Sequence, residues 1–571
     1  MSTAQRRSAL LRVLTSAVVM GGAFTVVSCG GAEPSSTGLV VKLPVPDSVV
    51  TPPKPDTVVT PAPPPPPAPD PIPVRDTAAV MPAQRPELPR ANVPVAYPTG
   101  GRKVHLALDS NLQDELDNAK DGDELLLPPG SRYIGNFVLP SRDTGAAWIV
   151  IRTDLSDGEL GAPGTRMTPS RARSLRLAQI LTRNNEPAIR TDLRANHFRI
   201  TGVEVGAASE AADVTALVRF GFDEPAQRSV LTTASNLIVD RSYVHGAATL
   251  DTRRCVLLNS AMSAVVDSWL ADCHSNNQDS QAISGWNGPG PFLIENNYLE
   301  AGHEVIAFGG GTFTVPNGSP SDITIRGNHI TRPLAWKGIW QVKNLFETKH
   351  AKRVLVEGNF FENNWADGQA GFAILIKSVN QQNDNPWTQS ADITIRYNRI
   401  RNTGSVFNLA GTGGDGLPDV RAARVAIYDN VVQNVNVAPF TADGIVFQLL
   451  NGITDVAIYH NTVLNSGRSL DAVLFDGDPV LRLAFHSNAV YNGQYGVFAS
   501  GGSGVQALAR YAPGALFAGN LIVGGECSTL PATTQCPATL PTTLPTGYDG
   551  GVIGADFPVV AAATRNAIIA P

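Results

Sequence analysis

One pattern constrains this chain more than any other: apolar, any, apolar, any, any, Asn, any, apolar. It occurs as Phe292-Ile294-Asn297-Leu299, Ile323-Ile325-Asn328-Ile330, Val354-Val356-Asn359-Phe361 and Ile393-Ile395-Asn398-Ile400. It continues as Val425-Ile427-Asn430-Val432, Val456-Ile458-Asn461-Val463, Leu483-Phe485-Asn488-Val490 and Ala515-Phe517-Asn520-Ile522. The asparagines are 31, 31, 39, 32, 31, 27 and 32 residues apart, and looser copies upstream place Val203, Ser242 and Ser268 at the Asn position. Alternating apolar residues make a strand with one face inward. The Asn marks a bend, because its amide bonds to backbone groups and it tolerates left-handed conformations. A period near 31 holds three short strands and their turns, and stacked amides form a ladder along the axis. The pattern predicts an all-β fold, a parallel β-helix of about 11–13 coils. A β-propeller would instead repeat every ~40–50 residues.

Composition agrees. Charged residues make up 16% of the 571, with 53 Gly and 43 Pro, which disfavours a helical bundle or coiled coil. The net charge of −6 offers no basic field for nucleic acid.

The N-terminus carries Arg6, Arg7 and Arg12, then an apolar stretch from Val13 to Val27 ending in Val26-Val27-Ser28-Cys29. The stretch is short for a membrane span and fits a secretory signal. Its end resembles the bacterial lipobox, in which the Cys is acylated, and implies a signal peptide over 1–28 with lipidation at Cys29. Gly30 in place of Asp favours the outer membrane in lipoproteins of this kind, so the expected location is the cell envelope or cell surface. The other cysteines fall into local pairs, Cys255 with Cys273 and Cys527 with Cys536, and an exported protein with an even remainder suggests two disulfides. Residues 29–100 read as a disordered Pro-rich linker, with seventeen prolines between 41 and 90. The β-helix is assigned to 101–526 and a C-terminal cap and tail to 527–571. Asp109-Ser110 would cap a short helix bearing Leu112, Leu116 and Ala119 that covers the N-terminal end of the rod. Cys527–Cys536 and Gly547 to Gly554 would close the other end.

Three stretches carry a family resemblance: Gln278 to Gly290, Val342-Lys343-Asn344-Leu345-Phe346-Glu347 and Gly371 to Ser378. Over roughly residues 101–556 the chain resembles bacterial right-handed parallel β-helix repeat proteins of the pectate-lyase-like superfamily. That resemblance implies polysaccharide lyases, glycoside hydrolases, C5-epimerases or tail-spike-like binders. The calcium-binding Asp set and catalytic Arg of pectate lyases do not map onto this sequence, nor does the paired Asp of polygalacturonases, and fold alone does not fix function.

Elimination from a uronate needs a base near the C5 proton and a positive group or metal at the carboxylate, while hydrolysis needs two carboxyl groups. On a solenoid these come from outward positions of neighbouring coils. The polar residues concentrate between 274 and 380: His274, Asn276, Asn277, Asp279, His303, Glu304, Lys343, Glu347, Lys349 and Lys377. Asp279, His303, Glu304, Lys343, Glu347 and Lys377 are the catalytic candidates. Glu347 and Lys377 interrupt apolar strands one coil apart, which fits either a functional pair or an inter-coil ion pair. His303-Glu304 also fits a turn, and Asp279 a loop. Asn408, Gln448 and Asp476 would continue the column of Glu347 and suit sugar hydroxyls. Trp286, Asn287 and Trp340 are further substrate-binding candidates, with Trp365 and Trp387 in the same third of the chain. Each Trp also fits packing against a loop. Gly411 to Gly416 matches GxGxxG but precedes Pro418 and reads as a turn. The nine His lack ligand spacing, and no metal site is assigned; Asp476-Gly477-Asp478 offers calcium only two carboxylates. The expected partner is a polysaccharide, bound by a lipid-anchored monomer that cleaves or modifies it as a lyase, hydrolase or epimerase. The competing reading is a non-enzymatic adhesin or envelope-associated carbohydrate binder.

Overall fold

The computed structural model describes residues 83–142, 147–223, 226–316, 318–379, 385, 388–413, 420–464 and 469–540. Residues 1–28, expected to be a signal peptide, together with Cys29, the proline run, Trp387 and residues 547–554, lie outside the described residues. Each coil contributes one strand to each of three sheets of 14, 13 and 13 strands. Taking the coil at Asn328, Ser321–Arg326 belongs to sheet I, His329–Thr331 to sheet II and Asn344–Thr348 to sheet III. Every pairing between the named strands is parallel except the last in sheet III, where Gly496–Ala499 meets Gly502–Ser503 antiparallel. The fold is the predicted parallel β-helix, roughly 60 Å long at ~4.8 Å per coil.

Register follows from the repeat. In sheet III, Ile283, Ile306, Phe346, Ile374, Phe407, Phe447 and Val473 stand directly above one another, all buried. Phe407 and Phe447 stack at 5.2 Å and 3°. Such columns let side chains one coil apart pack alike, which keeps the register from slipping.

The asparagines form the expected ladder. From Asn297 to Asn488, each backbone N–H donates to the side-chain Oδ1 of the next Asn at 2.9–3.2 Å. Each amide Nδ2 donates to that same oxygen. Ser242 and Ser268 extend the ladder downward through their hydroxyls. The left-handed residue of the bend is the one before the Asn: Asn296, Gly327, Gly358, Tyr397, Asp429, His460, Ser487 and Gly519 all have φ between 53° and 64°. The ladder Asn is therefore required for its amide. Four residues on, Asn363, Asn402 and Asn434 form a second, shorter ladder at the end of sheet II, and these are themselves left-handed.

The helix Leu112–Asn118 buries Leu112 and Leu116, but its cap is Asn111, which accepts from the Gln113 N–H, rather than Asp109 or Ser110. At the other end a helix that the pattern did not anticipate, Val505–Tyr511, buries Ala507, Leu508 and Tyr511. Both disulfides are formed, Cys255–Cys273 and Cys527–Cys536.

Residues 83–99, assigned from sequence to the linker, instead lie along the outside of sheet I. The N–H groups of Gln84, Glu87 and Arg90 donate to Asp455, Asp392 and Asp322 at 3.0, 3.2 and 2.8 Å. Three residues of polyproline-like chain advance ~9.3 Å, close to two coils at ~9.6 Å, so every third N–H meets every second coil. Pro86 and Pro89 fall between the donors, where no N–H is needed. Val93 packs on Ile238, Ala264, Val266 and Leu293. Tyr97 ends the strap among the guanidinium groups of Arg152, Arg199 and Arg241, 4.9–5.8 Å from its ring. Its hydroxyl donates to Glu124 at 2.9 Å.

Candidate functional site

Sheet III carries the polar cluster on its outer face, in neighbouring columns fixed by the parallel register. One column runs Arg254, Gln281, Glu304, Asn344. The next runs Arg219, Leu257, Ser284, Ala307, Glu347, Leu375, Asn408, Gln448, Leu474. Two residues further along their strands stand Trp286, Gly309, Lys349 and Lys377. Asn408 and Gln448 thus continue the column of Glu347 as expected, whereas Asp476 does not. Leu474 occupies that place, because Asp476 pairs with Leu450.

Glu347 and Glu304 are both about 1% exposed, so their charge is settled by neighbours. Lys349 and Lys377 each place Nζ 3.6 Å from Glu347 Oε1. Glu347 Oε2 accepts from Asn344 Nδ2 at 2.8 Å, and Asn344 also reaches Gln369. Burial raises the Glu347 carboxyl, but Lys349, Lys377 and Lys343 outweigh it and hold it ionised, below its ordinary value. Lys349 is in turn raised, chiefly by Glu347. Glu304 sits differently. Burial, with Asp279 and Glu347 nearby, pushes it up to about 7, only partly offset by Lys343. Its Oε2 accepts from Gln281 at 2.8 Å. Lys343 lies 2.5 Å from Asp279 and 3.6 Å from Glu304, and these two carboxylates overcome burial to raise it. Burial works against ionised Asp279, but Lys343, Lys349 and His303 keep it well below the usual carboxylate range.

The catalytic candidates therefore converge, with different access. Asp279 is the most open, its side chain 37% exposed. Lys343, Lys349 and Lys377 are half-buried, their side chains 15%, 23% and 21% exposed. His303 is buried and pushed down to about 4 by that burial; Ser280 and Gln341 hold its two nitrogens at 3.1 and 2.8 Å. It positions Gln341 and the turn and does not reach solvent.

The substrate-binding candidates divide. Trp286 is half-buried beside the cluster, with the Arg254 guanidinium 5.0 Å from its ring. The Asn408 side chain is half-buried, and that of Gln448 is 8% exposed; no hydrogen bond is recorded for either amide among the described residues. Asn287 is a correction. It is fully buried, donates to the Phe222 and Gln227 carbonyls and accepts from the Thr314 N–H, so it ties loops together. Trp340 stacks on His274 at 3.8 Å and 21°, and Trp365 is buried against Phe440. Among the described residues no three His, Cys, Asp or Glu side chains are grouped as a metal-ligand set, and no helix is long and apolar enough to cross a membrane.

Sequence reasoning placed Lys349 in the polar region without assigning it a role; its +2 offset from Glu347 put it on the same face. It passed over Gln281 and Asn344, which hold the two glutamates, and the arginines below them. A half-open hollow of about 760 Å³ lies elsewhere, over the turn between sheets I and II, lined in part by Arg166, Asp267, Trp269 and Tyr298. It suits a sugar poorly: Trp269 and Tyr298 stack on each other at 3.6 Å, and Arg166 spends its donors on Asn296 and Gly327.

No known protein family and no curated protein matches the sequence. Solved structures of the pectate-lyase-like class do match. An alginate lyase from Paenibacillus sp. is 14% identical, with a TM-score of 0.29, over 68% of this chain and 94% of its own. The PL6 family alginate lyase AlyGC is 12% identical at a TM-score of 0.44, over 81% of this chain and 58% of its own. PfbA, a surface adhesin of Streptococcus pneumoniae, is 12% identical at 0.44, over 68% and 87%. At these identities and scores no residue role is transferred from them.

Proposed function

We propose that this protein binds an acidic polysaccharide along the outer face of sheet III, with Lys343, Lys349 and Lys377 receiving its carboxylates. The observation that carries this reading is three half-buried ammonium groups, gathered over two nearly inaccessible glutamates, on a face continued upward by the amides of Asn408 and Gln448. Glu347 and Glu304 raise Lys349 and Lys343 and so keep these two protonated, and Glu347 holds Lys377 in place. The lysines keep donors for a ligand, since each ammonium has three. Trp286 offers an apolar ring at the lower edge.

The same groups support β-elimination. Lys349 and Lys377 would neutralise the uronate carboxylate, Asp279 would take up the C5 proton, and water would protonate the leaving oxygen, since Glu304 is only about 1% exposed. One observation favours binding without cleavage: Asp279, the most open carboxylate, is held strongly ionised by Lys343 and is a weak base. We also propose that acylated Cys29 tethers the rod to the cell envelope through the proline-rich segment.

Calorimetry with polyuronates, neutral glucans and a Lys349→Ala/Lys377→Ala variant tests the binding reading. Polyuronate is expected to bind the wild type and to lose at least tenfold in affinity in the variant. Equal affinity for neutral glucan, or an unaffected variant, overturns the reading. Ultraviolet absorbance of unsaturated products and a reducing-sugar assay then separate elimination, hydrolysis and binding alone.

A further inference from the structure

Many arginines on the upper coils pair with carboxylates, among them Arg326 with Glu295, Arg353 with Asp322, Arg396 with Glu357, Arg401 with Glu362, Arg424 with Asp392 and Arg482 with Asp455. Buried Arg332 donates to two carbonyls through one nitrogen, and among the described residues its Nε and other terminal nitrogen have no partner. On the lower part of sheet III three arginines break this rule. Arg254 is 8% exposed, its buried Nε has no partner, and its guanidinium lies over Trp286. Arg219, one coil below, likewise has a buried Nε without a partner and a guanidinium 5.2 Å from Phe222. Among the described residues Arg253 donates only to the backbone oxygen of Asp279, at 3.3 Å. Asp223 and Asp279 are close enough to act on Arg253 and Arg254 electrostatically, yet neither forms an ion pair with them.

A guanidinium withdrawn from water without an anion is costly, and arginine does not escape by losing its proton. Burial, reinforced by Arg253, lowers Arg254 to about 9. The missing counter-charge has a natural place to come from. Between these arginines and Lys349 the chain passes as glycine and packs closely, for a Cβ on Gly311 would sit 2.7 Å from the Trp286 ring, and one on Gly310 2.6 Å from Lys349 Cδ.

We propose that Arg219, Arg253 and Arg254 form a second anion subsite, which takes another carboxylate of the same acidic glycan whose first carboxylates lie on the lysines. This rests on the binding reading above and adds its direction. The glycan runs along the rod axis from Lys377 past Trp286 to Arg219, and three coils, ~14 Å, separate Arg254 from Asn344. Only a chain of several sugars reaches both ends.

The test is calorimetry on the whole protein with polyuronate disaccharide and octasaccharide. An Arg219→Gln/Arg253→Gln variant is expected to bind octasaccharide about tenfold more weakly, the loss of one charge-assisted contact. Its disaccharide affinity should stay unchanged, since the lysines alone satisfy that ligand. Arg254→Lys, which keeps charge but not the fork, should lose less. Octasaccharide affinity within about twofold of wild type in a folded double variant overturns the subsite. If Lys349→Ala abolishes disaccharide binding while the arginine variants bind both oligomers normally, the lysine reading stands and this inference falls. If the wild type binds neither oligomer, both fall.

Discussion

Asn359→Ala should be among the most damaging single substitutions in the rod, although it removes no charge and little apolar surface. Asn359 is fully buried. Its Oδ1 accepts from the backbone N–H and the amide of Asn328, and its Nδ2 donates to the Ile325 carbonyl and to Asn398. Alanine keeps the Asn359 N–H donating to Asn398, and Asn328 Nδ2 retains the Ile294 and Arg326 carbonyls. The Asn328 N–H and the Ile325 carbonyl lose their side-chain partner inside a dry turn. At ~1–3 kcal/mol for each buried group left unpaired, the loss is about 4 kcal/mol. Asn402→Ala removes an amide that is half-buried and, among the described residues, bonds only to its counterparts Asn363 and Asn434; with alanine's strain at this left-handed position included, it should cost about 1–2 kcal/mol. Urea unfolding of the two variants gives the comparison. Because a solenoid is coupled mainly between neighbouring coils, hydrogen exchange should show the loss concentrated at Asn328 and Ile325. An Asn359→Ala protein that keeps its β signal and loses under about 1 kcal/mol would refute the ladder as a source of stability.

Glu347→Gln retains the acceptor for Asn344 but leaves Lys349 and Lys377 facing each other; with both lysines partly hydrated, a loss of about 1–2 kcal/mol is expected in denaturant titration. Glu304 is raised by burial to about 7 in the fold against 4.5 for the ordinary side chain, so its protonated form favours folding. That contribution is complete below about pH 4.5 and is lost as pH rises through about 7. Glu304→Gln should therefore stabilise the protein at about pH 8, by up to about 2 kcal/mol, and change little at about pH 4, read as Tm against pH. On the opposite face, Asp392→Ala removes the acceptor for the Glu87 N–H and the partner of Arg424. Trypsin should then cleave after Arg90 several-fold faster, and an unchanged rate would mean that the strap is held elsewhere.

The fold was legible because the repeat acts through contacts one coil apart, and those are encoded at fixed spacing. The ladder, the three sheets and the column from Glu347 to Gln448 all follow from counting about 31 residues. What was not legible depends on pairing across variable loops. Asn287 reads as a polar residue beside Trp286, but the Gln227 loop and Thr314 fold over it and bury it. The strap was hidden for a different reason. Proline-rich sequence is expected to stay extended and solvated, and here the extended form itself fits, since its three-residue advance matches two coils. That match needs acids on alternate coils, and Asp322, Asp392 and Asp455 fall two coils apart, outside the one-coil spacing of the repeat. The offset-by-four asparagines 363, 402 and 434 were similarly countable once the first ladder was aligned.

The two outer faces use charge in opposite ways, and this contrast is the strongest argument that sheet III meets a ligand. On sheet I, Asp322, Arg353, Asp392, Arg424, Asp455 and Arg482 alternate coil by coil; each acid takes a bidentate arginine and also one strap N–H. Those acids are pulled below their ordinary values by arginine despite partial burial, so the face is electrostatically complete. On sheet III, three lysines and three arginines meet Asp223, Asp279, Glu304 and Glu347, with Glu304 raised toward neutrality. Such an excess is unfavourable within the folded chain alone. It becomes favourable when an anionic polymer supplies the remaining negative charge, which is why added salt should weaken polyuronate binding while leaving the strap and its ladder in place.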